Sequence, residues 1–263
     1  MNKGLPNIYS IGMPKTGGTS LNSWLRDNTR WNVINHDALD IVNLLYEGDE
    51  SLVNFAKKSR SQKRDISEAR TGMMHIHWKK IVEMDPEALF IMTVRKRVDE
   101  WAGSFWRHFS RPHSLYDCTE HRNRGREILG LFDGHLPVNA SGENLLRIEK
   151  PGMTRIINQY MQNQFEMAEW VANNPNACVI SLDGGTDPES LLYWMYDRIS
   201  PRGDGSMLTW SKIVYSETDV GNPVVLPWPH DRRAPEYEMP LWVVVECMDF
   251  ESMWQSQVMS QIL

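Results

Sequence analysis

Short apolar stretches alternate with amphipathic stretches along this chain, and this alternation restricts the fold more than any other feature. The clearest apolar stretches are residues 7–13, 88–94 and 177–183, and a stretch with helical spacing follows each of them. Strands that alternate with helices predict a parallel sheet covered by helices. The sequence therefore predicts an α/β fold, a three-layer sandwich around a central, mostly parallel sheet.

The same periodicities predict the remaining elements. Further strands are expected at residues 31–35 and 72–78. Helices are expected at residues 20–27, 38–48, 79–85, 98–109, 152–173, 188–199 and 249–261. Residues 110–150 are polar and irregular, and the proline-rich residues 217–240 predict a loop or an extended arm.

Composition and charge exclude several classes of protein. The chain has 263 residues, with 28 Lys plus Arg and 34 Asp plus Glu, so its formal net charge is −6. This balance argues against a surface that binds nucleic acid or anionic membrane throughout. The longest apolar runs are far shorter than the ~20 residues of a membrane span, and residues 1–18 lack the apolar core of a signal peptide. Three widely spaced cysteines predict neither a disulfide framework nor a zinc site, and a cytoplasmic location is expected.

The most informative loop is GMPKTGGTS, residues 12–20, between an apolar stretch and an amphipathic one. A strand, a glycine loop and a helix N-terminus together bind phosphate-like anions, because backbone N–H groups and the helix dipole converge there. Gly17 and Gly18 let the backbone approach an anion, while Lys15 adds a positive charge. The alternative is a tight strand–helix turn capped by Thr19 or Ser20.

The position of the lysine argues against a nucleotide kinase. A triphosphate-binding loop reads GxxxxGK[ST], with the lysine directly before the hydroxyl residue. When the pattern starts at Gly12, Gly18 stands where the lysine belongs, and Lys15 lies early in the loop. The strand at 88–94 also ends in Arg95 instead of an Asp for Mg²⁺. A P-loop nucleotide kinase therefore remains only an alternative.

The segment PKTGGTSL, residues 14–21, resembles the 5′-phosphosulfate loop of sulfotransferases. These enzymes use 3′-phosphoadenosine 5′-phosphosulfate (PAPS) as sulfuryl donor. Ser20 and Leu21 follow Thr19 here, which is closer to the carbohydrate-type branch than to the phenol and steroid branch, where a Trp is usual. The resemblance implies that the donor is bound by Lys15, Thr16, Gly17, Gly18, Thr19 and Ser20.

A second segment, ALFIMTVRKRVDEWAGSFWRHF, residues 88–109, resembles the 3′-phosphate motif of the same family. The resemblance implies that Arg95 and Ser104 contact the 3′-phosphate. Arg95 matches the motif, and a guanidinium can bind a phosphate through two parallel contacts. The motif spacing falls on Gly103, so Ser104 requires a shift of one residue. The alternative is a solvated basic cluster at a helix start, although three adjacent cations there oppose the helix dipole unless an anion is bound.

Two histidines precede that segment. If residues 72–78 form a strand, His75 and His77 project from the same face. The pair could be ordinary histidines near the end of the sheet, and a metal site is not favoured because no further ligand cluster is evident. HIHW also resembles the segment that carries the general base in carbohydrate sulfotransferases. That resemblance implies that His75 takes the proton from the acceptor, with His77 as second choice.

Together these resemblances imply a P-loop-like sulfotransferase fold and one sulfotransferase domain over residues 1–263. Residues 1–110 would bind the donor, and residues 110–175 and 200–263 would supply acceptor-side and capping segments. The implied reaction moves a sulfuryl group to a hydroxyl or amine of a small molecule or glycan, without a metal and with no nucleic acid partner. A non-catalytic phosphate-binding or nucleotide-binding module is the alternative. The basic run at 57–64 could dock an anionic acceptor, and Arg202 and Gly203 only faintly resemble the family's 3′-phosphate loop.

Overall fold

The computed structural model describes residues 5–13, 15–36, 68–72, 74–109, 150–200, 228 and 241–263. The strands in these ranges are β1 (Ile8–Ser10), β2 (Asn32–His36), β3 (Glu68–Gly72), β4 (Leu89–Thr93) and β5 (Ala177–Ile180). The helices are α1 (Gly18–Asn28), α2 (Trp78–Met84), α3 (Val98–Phe109), α4 (Lys150–Ala172), α5 (Pro188–Ile199) and α6 (Leu241–Gln257). Two 3₁₀ turns, Met74–His77 and Met259–Gln261, complete the described elements.

The five strands form one parallel sheet in the order β2-β3-β1-β4-β5. Strand β1 pairs with β3 on one side, through Ile8 and Ala69, and with β4 on the other, through Ile8 and Leu89. The direction of chain progression therefore reverses at β1. In open α/β sheets ligands bind beyond the carboxyl ends of the strands at such a reversal. This topology directs attention to the loops that follow β1 and β4.

Helices cover both faces of the sheet because alternate strand residues point to opposite sides. On one face, Tyr9 and Phe90 are fully buried against α2, α3, α4 and α6. On the other face, Ile8 and Ile91 are fully buried against α1 and α5. The predicted α/β fold with a parallel sheet is confirmed, and helices on both faces agree with the expected sandwich.

Two predicted elements differ from the structure. The strand expected at 72–78 is wrong, because β3 is Glu68–Gly72 and a 3₁₀ turn begins at Met74. Gly72 pairs with His36, the last residue of β2, so the chain leaves the sheet where its neighbour ends. The last helix begins at Leu241 instead of 249. Its first residues, LWVVV, are uniformly apolar and carry no helical periodicity from which that start could be predicted.

Several predictions lie outside the described residues. They include the helix expected at 38–48, the basic run at 57–64, the irregular region 110–149 and Arg202 with Gly203. Of the expected arm at 217–240, only Trp228 is described, and its Nε1 donates to the Thr186 carbonyl at 2.7 Å. Among the described helices, none combines the length and the apolar character needed to cross a membrane.

Candidate functional site

Four loops meet at the carboxyl edge of the sheet. Lys15 follows β1, His75 follows β3, Arg95 follows β4, and Asp183 follows β5. These four strands are neighbours in the order β3-β1-β4-β5, and all run parallel. Their carboxyl ends therefore bring a lysine, a histidine, an arginine and a carboxylate to one edge.

The loop after β1 is fixed to the end of β4. A Cβ built on Gly12 would overlap the Thr93 hydroxyl and lie 2.7 Å from the Thr93 backbone nitrogen, so only glycine fits there. The Thr16 hydroxyl donates to the Met13 carbonyl at 2.5 Å and lies 2.7 Å from the Thr93 hydroxyl. Thr16 is 1% exposed. Its hydroxyl therefore holds the loop in place. The assignment of Thr16 to the sulfuryl donor stays a prediction, because the hydroxyl is directed at Met13 and Thr93.

The two glycines of the loop have different reasons to be glycine. Gly17 has φ +109°, and a Cβ there would lie 2.7 Å from Leu182 Cδ1. Left-handed backbone and close packing both require glycine at this position. A Cβ on Gly18 would meet no atom of the described residues within 4 Å. Among the described residues, Gly18 therefore has space beside it at the start of α1, which is where an approaching anion needs room.

The N-terminus of α1 suits a negative charge. The first N–H groups of a helix have no partner within the helix. Gly17 is the N-cap and has no side chain to cap them, and the first turn contains no acidic residue. Thr19 is exposed and Ser20 is half-buried beside these N–H groups. The helix dipole and these first N–H groups, which Gly17 cannot cap, together favour an anion at this end.

Lys15 has a backbone conformation that is unusual for its residue type. Its φ is +69°, in the left-handed region where an L side chain is disfavoured. The Arg95 Nε donates to the Lys15 carbonyl at 2.9 Å, across eighty residues of sequence. This bond holds the Lys15 peptide from the neighbouring strand. The structure thus brings together Lys15 and Arg95, two residues that the sequence assigned to one site.

Asp183 is the site residue that the sequence reasoning missed. Its Oδ2 accepts from Arg95 Nη1 at 2.8 Å. Its Oδ1 accepts from the Lys96 backbone N–H at 3.2 Å and from the Ser181 hydroxyl at 2.9 Å. The available signal was a charged residue shortly after a buried strand, the same signal that singled out Arg95.

The three adjacent cations after β4 are balanced in part by the protein itself. Arg95 pairs with Asp183, and Arg97 pairs with Asp99 at 2.7 Å. The hydrogen bond and the charge of Asp99 raise the pKa of Arg97. Burial, and then the negative charges of Asp183 and Asp99, raise the pKa of Glu100. Asp183 and Asp99 therefore offset two of the three cations without a bound anion. The run of cations alone is thus weaker support for an anion site than the sequence indicated.

Ser104 lies on α3 and is half-buried. Its assignment to a phosphate stays a prediction.

Aromatic side chains pack beside Arg95. Trp101, on α3, stacks on Tyr160 with ring centroids 3.5 Å apart. Trp254 donates from Nε1 to the Arg95 carbonyl at 3.1 Å. Burial raises the pKa of Tyr160 well above its usual value, and the Arg95 charge opposes this rise. The aromatic cluster of Trp101, Tyr160 and Trp254 thus supports the Arg95 backbone.

His75 reaches the carboxyl edge by a different backbone than expected. It lies in the 3₁₀ turn after β3 and is 6% exposed. In a 3₁₀ turn each residue rotates by about 120°, so backbone positions 75 and 77 point in directions about 120° apart around the axis. The argument that both histidines share one face of a strand is therefore wrong. Its choice of His75 over His77 as the base stays a prediction.

No protein-family model and no curated protein sequence matches this chain. Within the part of the chain that the structure describes, no group of three His, Cys, Asp or Glu residues could hold a metal ion.

Proposed function

We propose that this protein is a PAPS-dependent sulfotransferase with a P-loop-like fold. The observation that carries the proposal is the meeting of residues 15–20, KTGGTS, with Arg95 at the reversal of the parallel sheet. A hydrogen bond from Arg95 to Lys15 links the two segments that separately resemble the donor motifs of that family. Two independent sequence resemblances therefore fall on one three-dimensional site.

The geometry supports binding of an anionic donor. No atom of the described residues lies within 4 Å of a Cβ built on Gly18, and the start of α1, whose N-cap Gly17 has no side chain, offers backbone N–H donors beside it. The 5′-phosphosulfate would lie against this terminus, and the Arg95 guanidinium, one strand away, would face the 3′-phosphate. Charge-assisted bonds of this kind contribute about 1.5–3 kcal/mol each.

Sulfuryl transfer proceeds by in-line displacement, as phosphoryl transfer does, so positioning and charge stabilisation supply most of the rate. The acceptor oxygen forms a bond to sulfur, while the bond from sulfur to the bridging oxygen of the 5′-phosphate breaks. The acceptor proton passes to a base, and 3′-phosphoadenosine 5′-phosphate leaves with the negative charge. Lys15 and the N–H groups of α1 would stabilise that charge, each preorganised donor contributing about 3 kcal/mol.

A non-catalytic anion-binding module is the second candidate, and the burial of His75 favours it. A general base must come within hydrogen-bond distance of the acceptor. At 6% exposure, His75 meets this requirement only if the acceptor or a local movement reaches it. Such a module needs the loop at residues 15–20, here called the anion loop, but has no use for this histidine.

The first experiment measures ligand preference by thermal shift. We expect 3′-phosphoadenosine 5′-phosphate to raise the melting temperature more than AMP or ATP does at equal concentration. A larger shift with ATP would contradict the sulfotransferase proposal and favour a nucleotide kinase.

The second experiment separates the enzyme from the binding module. If His75 is the base, His75→Ala lowers turnover by ~10²–10⁴ and leaves affinity for 3′-phosphoadenosine 5′-phosphate nearly unchanged. Turnover is measured as transfer of labelled sulfate from PAPS to a panel of hydroxyl and amine compounds, with His77→Ala for comparison. Affinity for the bisphosphate without transfer to any compound would favour the module.

A further inference from the structure

We propose that Asp183 is a positioning residue that orients Arg95 and, through it, the Lys15 peptide of the anion loop. The proposal rests on the function proposed above and adds a residue that no motif in the loop or in the arginine segment contains. Asp183 lies in the loop after β5, on the far side of β4 from Lys15.

The first step is the bond between Asp183 and Arg95. A guanidinium is planar, so bonds to two fixed partners determine the direction of all its N–H donors. Here the partners are the Lys15 carbonyl at Nε, 2.9 Å away, and Asp183 Oδ2 at Nη1, 2.8 Å away. The side chains of Arg95 and Asp183 are only 19% and 30% exposed, so solvent screens their attraction less than on an open surface.

The second step is the fixation of Asp183 itself. Its other oxygen, Oδ1, accepts from the Lys96 N–H at 3.2 Å and from the Ser181 hydroxyl at 2.9 Å. The carboxylate is thus tied to the backbone that follows β4 and to the end of β5. It cannot rotate away from Arg95 without losing these bonds.

The third step connects Asp183 to the anion loop. Leu182, its neighbour, packs so closely on Gly17 that a Cβ there would lie 2.7 Å from Leu182 Cδ1. The β5 loop therefore touches the anion loop directly at Gly17 and indirectly through Arg95 at Lys15. Because the left-handed Lys15 backbone is disfavoured in isolation, its geometry depends on such outside contacts.

The test is a double-mutant cycle with 3′-phosphoadenosine 5′-phosphate as probe, measured by calorimetric titration. We expect Asp183→Ala to weaken binding at least tenfold in the wild-type background and less than threefold in the Arg95→Ala background. Contacting residues that act as a unit show such non-additivity, whereas separate structural effects add. Asp183→Asn, which keeps the shape and one acceptor oxygen, should weaken binding to an intermediate extent and covers the case in which Asp183→Ala fails to fold.

Asp187→Ala is the matched control, because it removes the same charge from the same loop. Asp187 is exposed, and its side chain makes no capping bond to α5. We expect its affinity to stay within twofold of wild type. Tighter binding by Asp183→Ala, or equal losses in both backgrounds, would overturn the positioning role. A wild-type protein without affinity for the bisphosphate would overturn the proposed function instead.

Discussion

Replacing Gly18 by alanine should separate anion binding from stability. Gly18 is the first residue of α1, and a Cβ there meets no atom of the described residues within 4 Å. Its φ lies outside the left-handed region, so alanine fits without backbone strain. Alanine also restricts the unfolded chain more than glycine does, so Gly18→Ala should raise the free energy of unfolding by about 0.4–1 kcal/mol.

The same methyl group should obstruct an anion at the helix N-terminus. It would project from the first residue of α1 beside the backbone N–H groups and keep the anion from at least one of them. Loss of one charge-assisted bond of about 1.5–3 kcal/mol weakens affinity by ~10- to 150-fold. Calorimetric titration with 3′-phosphoadenosine 5′-phosphate measures the affinity, and urea unfolding measures the stability.

Gly17→Ala is the matched control one residue earlier. Alanine at φ +109°, with Leu182 Cδ1 only 2.7 Å from the new Cβ, should lower the free energy of unfolding by about 1–3 kcal/mol. The two substitutions thus change the free energy of unfolding in opposite directions, while both should weaken binding of the bisphosphate at the loop. A Gly18→Ala protein that binds the bisphosphate as well as wild type would refute the inference that Gly18 borders the anion.

Three further predictions use other residues of the same structure. Lys15→Gly removes the left-handed strain at φ +69°. The Lys15→Gly protein should therefore be more stable than the Lys15→Ala protein by about 0.5–1 kcal/mol, measured by urea unfolding. Both variants should lose turnover by ~10²–10³. Equal stability of the two variants would show that the Lys15 backbone is not strained. Because burial raises the pKa of Tyr160 well above 10.0, the unfolded chain releases this proton first as pH rises, so stability should fall above pH 10. Tyr160→Phe should reduce that fall in the free energy of unfolding, measured by urea titrations at pH 9 to 11. Tyr193→Phe, at a 46% exposed position, is the matched control. An unchanged pH dependence of the unfolding free energy in Tyr160→Phe would count against the prediction. Burial also raises the pKa of the Cys178 thiol, which is 4% exposed, so iodoacetamide should label Cys178 only after unfolding; mass-spectrometric labelling in the native state would disprove this.

Local sequence predicted the elements whose signals lie within a few residues. Strand β4 and helices α3 and α5 follow from a short apolar run or from helical spacing. The glycine loop at residues 12–20 was likewise readable, because Gly17 adopts a conformation for which glycine is the usual residue. Strand β3, with the sequence EARTG, carries no such apolar signal, and its place in the sheet depends on pairing with β1 and β2.

The sequence by itself predicted the α/β fold with a mostly parallel sheet, and its resemblance to two donor motifs assigned Lys15 and Arg95 to one candidate site. Only the tertiary structure decided that these two residues are hydrogen-bonded, that Asp183 holds Arg95, and that His75 is buried in a turn. Helices and turns are specified by contacts a few residues apart, which a pattern can show. The bonds from Arg95 to Lys15 and Asp183 span 80 and 88 residues, so they depend on the order and register of the whole sheet.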